Sequence, residues 1–354
     1  VVLASVPEPE SGGAPSFLDA RVRVRPLHGT EASNPEAALD LVLVVEPVAE
    51  GSAALLEDVF TTHRSQIRDL VTRHGNVLFR GFDVARGDFE RIVARAYTAE
   101  RYIWMFPAPP ELVRWLLALP LIGWVTAALL GWIEASATGR EIVDDRLSTL
   151  ANDQTIQFPH HEYGIFFNVP TVIAFYCERQ AGIGGETVIC DGHAGYAEMD
   201  PAVRDRFERA RHIRYRDENQ WYLPPFTAPA VLRHPQTGER SMNFTASRHD
   251  IAAEVGRQLF PGHRITTDEH DETFSFAPRF VGHDGETYEL TDDEVAEVAR
   301  AHFAHAVLLP WHQGDVLLMD NYRVVHGRLN AGTPRKVLQL ALCDHVRNTN
   351  HFTL

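Results

Sequence analysis

Two imidazoles and a carboxylate, from His160, Glu162 and the distant His326, are the side chains of this sequence best suited to hold a redox-active metal. They stand in His160-His161-Glu162 and in Val325-His326-Gly327-Arg328. Such a set occupies one face of an iron(II) ion and leaves the opposite face open to a co-substrate and then dioxygen. Alternate residues on a strand point the same way, so a strand through His160 and Glu162 would aim both at one ion and His161 at the other face. A lone His-x-Glu is a weak signal among 18 histidines, and His249-Asp250 and His270-Asp271-Glu272 are comparable groups in a polar, loop-rich region. Context separates the first from the others: Pro159 precedes it, aromatic residues follow it, and a matching histidine lies far downstream.

The elements that must position these residues read mostly as strands. Residues 1–16 form a loose tail rich in Pro, Gly and Ser. Residues 40–46 suggest a short strand, 53–74 a single helix ended by Gly75, and 76–82 a strand running into a turn. Beyond Glu162, strands are expected over 171–177 and 186–190, flanking a Gly-rich turn at 182–185. A helix is expected over 194–211, and short strands with turns over 212–290. Thr291-Asp-Asp-Glu294 is a capping-box pattern that opens a helix to about His305. Residues 314–320 and 335–343 read as two buried strands around His326. With no internal repeat and no separating linker, residues 1–354 read as one domain, mainly β with added helices. The expected core is an antiparallel jelly roll.

Composition narrows the partners. The net charge of −15, from 33 basic and 48 acidic residues, argues against non-specific nucleic-acid binding, which needs cations to neutralise phosphates. Cys177, Cys190 and Cys343 are too few and scattered for a disulfide framework, so free thiols in a reducing cytoplasm are expected. No basic region followed by an apolar core marks a secretory signal. Residues 101–140 read as an apolar helical insertion, uncharged from Trp115 to Ile133. That length would span a bilayer. A spanning helix, however, would put the preceding segment and the candidate ligands on opposite sides, and Pro120 and Gly123 favour two short helices. Membrane contact is therefore not expected. Buried helices, a subunit interface or a lid over a hydrophobic substrate are the readings left.

Val77-Leu-Phe-Arg-Gly-Phe82, Pro159-His-His-Glu162, Gly184-Gly-Glu-Thr187 and Gly314-Asp-Val-Leu-Leu-Met-Asp-Asn321 running into Val325-His-Gly-Arg328 share an order and spacing. In these the chain resembles the taurine dioxygenase/clavaminate synthase-like (TauD/TfdA) superfamily of iron(II)- and 2-oxoglutarate-dependent oxygenases, over roughly residues 70–345. The resemblance implies a double-stranded β-helix core of cupin-like kind, with iron held by His160, Glu162 and His326. It places Thr187 on a 2-oxoglutarate carboxylate. The distal carboxylate calls for a guanidinium fork, for which Arg335 is the first choice and Arg328 the alternative, because several relatives carry this arginine where Gln339 and Leu340 stand here. Halogenating relatives replace the ligand carboxylate by a small residue, so Glu162 argues against halogenation.

The implied reaction consumes 2-oxoglutarate and dioxygen, releases succinate and CO2, and oxidises a small molecule such as an amino acid or specialised metabolite. Hydroxylation is the default; desaturation, cyclisation and epoxidation share its first steps. The substrate could be hydrophobic or carried on a protein, and a homo-oligomer is compatible with the resemblance. His161, Tyr163, Trp221 and Arg248 are candidate pocket residues, with Tyr222 and Phe226 able to extend an aromatic wall or simply to pack in the core. Asn321 and Asp320 either orient the strand bearing His326 or form a turn. Two rival readings stand: a cupin-like metal oxygenase that does not use 2-oxoglutarate, and a non-catalytic relative that keeps the fold for binding.

Overall fold

A computed structural model describes residues 19–34, 39–100, 103–106, 108–120, 123, 125, 128, 147–149, 156–164, 166–216, 226–243, 249–267, 277–282 and 285–347. The expected tail at 1–16, most of the apolar stretch at 121–146, and Trp221, Tyr222, Arg248 and the His270 group lie outside these residues.

Two sheets dominate. The larger has seven strands in the spatial order Val22–Pro26, Val42–Pro47, Asn76–Phe79, Val316–Asp320, Val172–Arg179, Lys336–Cys343 and Leu147–Thr149. Its pairings are antiparallel except for the parallel contact of Val42–Pro47 with Asn76–Phe79. The smaller has four strands, ordered Ala306–Leu309, Thr187–Asp191, Val324–Arg328 and Gln157–His160.

The strand sequences explain why these sheets stack. Both faces of the central strands are apolar, as strands covered on both sides must be. Alternation then sorts the side chains. Ile173, Phe175, Cys177, Leu317 and Met319 of the larger sheet share one cluster with Ile189, Val307, Leu309 and Val324 of the smaller sheet. Val172, Ala174, Tyr176, Val316 and Leu318 face the opposite way, against Leu56, Phe60, Leu70 and Phe89 on flanking helices. Val188, Cys190, Leu308 and Val325 pack outward against Val295, Val298 and Phe303. The molecule is therefore mainly sheet, with helices on the outer faces and an apolar layer between the sheets.

Several helices differ from expectation. The helix over 53–74 is two, Ala53–Thr62 and Arg64–His74. His63 joins them, its ring held by Gln66 and Asp19. Gly75 does end the second, at φ 83, a conformation open to glycine at no steric cost. The helix over 194–211 also divides, into Gly192–Glu198 and Pro201–Arg209. Pro201 has no N–H to continue the first helix, and Asp200 caps the second through Ala202 and Val203. Residues 212–290 contain a helix, His249–Leu259, that the loop-like composition concealed. Thr291 caps Asp292–Phe303 in a reciprocal box with Glu294, as the sequence predicts. In the apolar insertion, helix Pro110–Leu117 ends before Pro120, and Gly123 N–H then donates to the Leu119 carbonyl. Among the described residues, no helix is long and apolar enough to cross a membrane.

Candidate metal centre

His326 lies at the middle of Val324–Arg328, where the ladder pairs it with Ile189 on one side and His160 on the other. Val324 and Ile189 belong to the inter-sheet layer, so His326, two residues from Val324, points into that layer. Its ring meets Phe175 at 5.3 Å between centroids.

His160 reaches the same place by an irregularity. Arg328 pairs with Gln157 and His326 with His160, so two steps on one strand match three on the other. This bulge at Phe158-Pro159 sends Phe158 outward into the helix-side core and His160 inward. It also accommodates Pro159, which cannot donate to a ladder. Gly327 makes the approach possible: a Cβ there would lie 2.4 Å from the Gln157 carbonyl oxygen.

Glu162 departs from the expected pleat. The strand ends at His160, and Glu162 sits in the following turn, where Tyr163 has φ 55. The carboxylate is placed instead by Asn321, which is fully buried. The Asn321 side-chain oxygen accepts from Glu162 N–H at 2.8 Å, and its amide donates to the Glu162 and Pro170 carbonyls at 2.8 and 2.9 Å. A Glu162 carboxylate oxygen then lies 3.5 Å from His160 Nε2 and 3.4 Å from His326 Nε2.

One donor atom from each of His160, Glu162 and His326 falls within 4.8 Å of the others, and all three residues are buried. No other group of this kind occurs among the described residues. The donor set fits iron(II): two neutral nitrogens and one anionic oxygen converge from one side. The His160 Nδ1–H donates to the Phe158 carbonyl at 2.9 Å, which leaves Nε2 as the lone-pair nitrogen aimed at Glu162.

The neighbouring candidates have other occupations. His161 is turned away, with Nδ1 on the Asn321 carbonyl at 2.6 Å and Nε2 on the Ser241 hydroxyl at 2.8 Å. Burial depresses its basicity to about 3, against the smaller opposing effect of the Asn321 bond, so the ring is neutral. Tyr163 stacks on Trp104 at 4.4 Å between centroids, with Phe166 set edge-on to Trp104. Phe226 opens the strand Phe226–Ala228, remote in sequence from these rings. Asp320 forms a turn, accepting from Tyr322 and Arg323 N–H, and also meets His234 at 2.9 Å. His234 and Ser241 carry no local signal in the sequence; their roles come from contacts with distant elements.

Thr187 opens the strand next to that of His326, directly opposite Arg328 and Leu309. Leu309 belongs to the inter-sheet layer, so the Thr187 hydroxyl and the Arg328 guanidinium share the face of His326. Arg335 is buried, with Nη1 donating at 2.5 Å to the carbonyl of Gly185, two residues before Thr187. Trp311, which the sequence reading missed, donates its indole N–H to Thr187 Oγ1 at 2.8 Å.

Known proteins resemble this chain in sequence and in fold. A clavaminate synthase-like protein of Arabidopsis thaliana is 25% identical over 324 residues, covering 84% of this chain and 90% of its own. The tyrosine isonitrile desaturase of Erwinia amylovora is 28% identical over 180 residues, 48% of this chain and 53% of its own. PvcB of Pseudomonas aeruginosa superposes with a TM-score of 0.60 at 18% identity, covering 95% of this chain and 97% of its own. A second PvcB structure, described as an Fe, alpha-ketoglutarate dependent oxygenase from an isonitrile synthetic pathway, gives 0.58 at 16% identity with the same coverage. Residues 45–341 match the sequence profile of the taurine catabolism dioxygenase TauD, TfdA family, and the chain belongs to that family of oxygenases, which use iron(II), 2-oxoglutarate and dioxygen.

Proposed function

We propose that this chain oxidises a small apolar or aromatic metabolite, with His160 Nε2, His326 Nε2 and the Glu162 carboxylate as the iron ligands. The observation that carries the reading is the convergence of those three donors within 4.8 Å, two from a buried strand pair and one from the turn that follows it. The two facing sheets are then the halves of a double-stranded β-helix, and the ligands lie between them.

His160, Glu162 and His326 would hold iron(II), which with 2-oxoglutarate and dioxygen as co-substrates would supply the oxidising chemistry that protein side chains lack. The remaining tasks fall to the chain. His160 and His326 supply neutral nitrogens, and Glu162 supplies one negative charge. Asn321 holds the turn that presents Glu162. Thr187 gives a hydroxyl to a co-substrate carboxylate, and a flanking guanidinium gives a planar fork to the same group. Arg328 stands opposite Thr187 and Arg335 bonds the Gly185 carbonyl two residues before it, and Arg335 remains the first choice. The apolar layer around Phe175 excludes water from the centre.

Hydroxylation is the primary expectation. Desaturation is the second reading, favoured by the likeness to a tyrosine isonitrile desaturase and to an oxygenase of an isonitrile pathway. The Trp104, Tyr163 and Phe166 cluster beside Glu162 supports an aromatic substrate. A cover over such a substrate is the role we give to helix Pro110–Leu117, whose Leu112 and Trp115 are exposed.

The test is anaerobic titration of the apo-protein with iron(II) and 2-oxoglutarate, read by the weak visible band of keto-acid chelation. The band should form in the wild type, vanish in His160→Ala and His326→Ala, and need more 2-oxoglutarate in Arg335→Gln than in Arg328→Gln. Bound iron without a band would overturn 2-oxoglutarate use. Product mass then separates gain of an oxygen from loss of two hydrogens.

A further inference from the structure

Thr187 holds a hydroxyl with one hydrogen and two acceptor positions, and its rotor alone does not decide which way it bonds. An indole N–H can only donate. The contact of Trp311 Nε1 with Thr187 Oγ1 therefore occupies an acceptor position and leaves the hydroxyl hydrogen to be given elsewhere. Both residues are buried, at 6% and 4% exposure, so water does not compete freely for the bond. The Thr187 backbone is engaged in a central strand, paired with Leu309 on one side and Arg328 on the other.

Trp311 is itself fixed. Arg80 grips Asp315 through Nε and Nη2 at 3.0 and 2.7 Å, and Nη2 also donates to the Pro310 carbonyl at 3.0 Å. His312 N–H donates to the second Asp315 oxygen at 2.8 Å. The peptide groups on either side of Trp311 are thus tied to one buried ion pair. The indole also lies in the inter-sheet layer near Phe175, at 6.4 Å between centroids.

We infer that Trp311 is a positioning residue for co-substrate binding: its indole N–H fixes the Thr187 hydroxyl as a donor towards a carboxylate anion. The inference rests on the proposed role of Thr187 toward 2-oxoglutarate. Without the indole, the hydroxyl is free to turn its oxygen towards the anion, a repulsive arrangement that weakens binding. The effect should be that of one hydrogen bond, roughly a five- to tenfold change in affinity.

Calorimetric titration of 2-oxoglutarate into manganese(II)-loaded protein tests this without turnover. Trp311→Phe should weaken 2-oxoglutarate about five- to tenfold and leave manganese affinity unchanged. Thr187→Ser should keep near wild-type affinity, and Thr187→Val should lose it. The decisive comparison is the double variant: Trp311→Phe should add nothing to the loss in Thr187→Val, because the hydroxyl through which it acts is gone. Full additivity, or no loss in Trp311→Phe, would overturn the inference while leaving the function intact. Failure of the wild type to bind 2-oxoglutarate would remove the proposed function itself. Should Trp311→Phe not fold, the indole 15N–H resonance of the wild type reports the same bond. That resonance should move on 2-oxoglutarate addition and in Thr187→Val, and a resonance unmoved by both would overturn the assignment.

Discussion

Asn321 places Glu162 through the backbone, so replacing it should disturb the metal centre without touching a ligand. Asn321→Ala strands the Glu162 N–H and two carbonyls in a buried site. Each such loss costs about 1–3 kcal/mol, and metal affinity should fall about 10- to 100-fold. Metal titration beside urea unfolding checks both; unchanged metal affinity would remove Asn321 from the centre. A second residue sets an acid limit. Burial works to raise the Glu100 carboxyl, but hydrogen bonds from His345 and Arg114 outweigh it and hold it at about 2. His345, depressed mainly by burial, gives its Nδ1–H to that carboxylate at 2.9 Å. Because the folded value lies below the ordinary 4.5, the stability due to ionised Glu100 is complete above that pH and disappears as pH falls towards 2. After discount for partial exposure this amounts to roughly 1–2 kcal/mol. Urea melts of wild type and Glu100→Gln across that window should converge as pH falls; a constant gap would contradict the linkage.

At the scale of elements, the strand pair bearing His160 and His326 depends on the absence of a side chain between them. Gly327→Ala would drive a Cβ against the Gln157 carbonyl and the Pro159 nitrogen, at 2.4 and 3.1 Å. Backbone must yield there, so the histidines separate, and metal binding should weaken by more than about tenfold while most of the fold survives. Metal titration with circular dichroism would show whether the two effects part in this way. The helix Asp292–Phe303 offers the contrasting case. Thr291→Ala removes a cap far from the donors and should lower stability by about 1 kcal/mol. Co-substrate affinity should not change. The capping box was legible in the sequence because its atoms are local. The bulge at Phe158-Pro159 was not, because a bulge is defined by the partner strand, and the sequence reading therefore expected Glu162 to share a regular pleat with His160.

At the scale of the whole molecule, two motifs far apart in the chain prove to be one structure. Arg80, from the segment 77–82, and Asp315, from the segment 314–321, form a two-bonded ion pair at the edge of the inter-sheet layer. The Asp315 side chain is 1% exposed. Arg80→Met should destabilise the fold by about 3–5 kcal/mol, because a buried charge is left without its partner. A double replacement with Asp315→Leu should recover much of that loss. Denaturant midpoints of the two variants decide it, and equal destabilisation in both would mean that packing rather than charge matters there.

Residue type and period determined much on their own. Apolar runs marked the strands near 171–177, 186–190 and 314–320, and Gly75 and Thr291 marked helix ends, since these depend on neighbours in sequence; the order of short motifs, through the family resemblance, named the candidate ligands. Tertiary structure decided which partners meet. It turned His161 onto Ser241, gave Glu162 to Asn321, set Arg328 opposite Thr187, and brought Trp311 to the Thr187 hydroxyl. Each of those contacts joins elements whose separation along the chain exceeds any local pattern, so only the register of the sheets and the packing between them could select it.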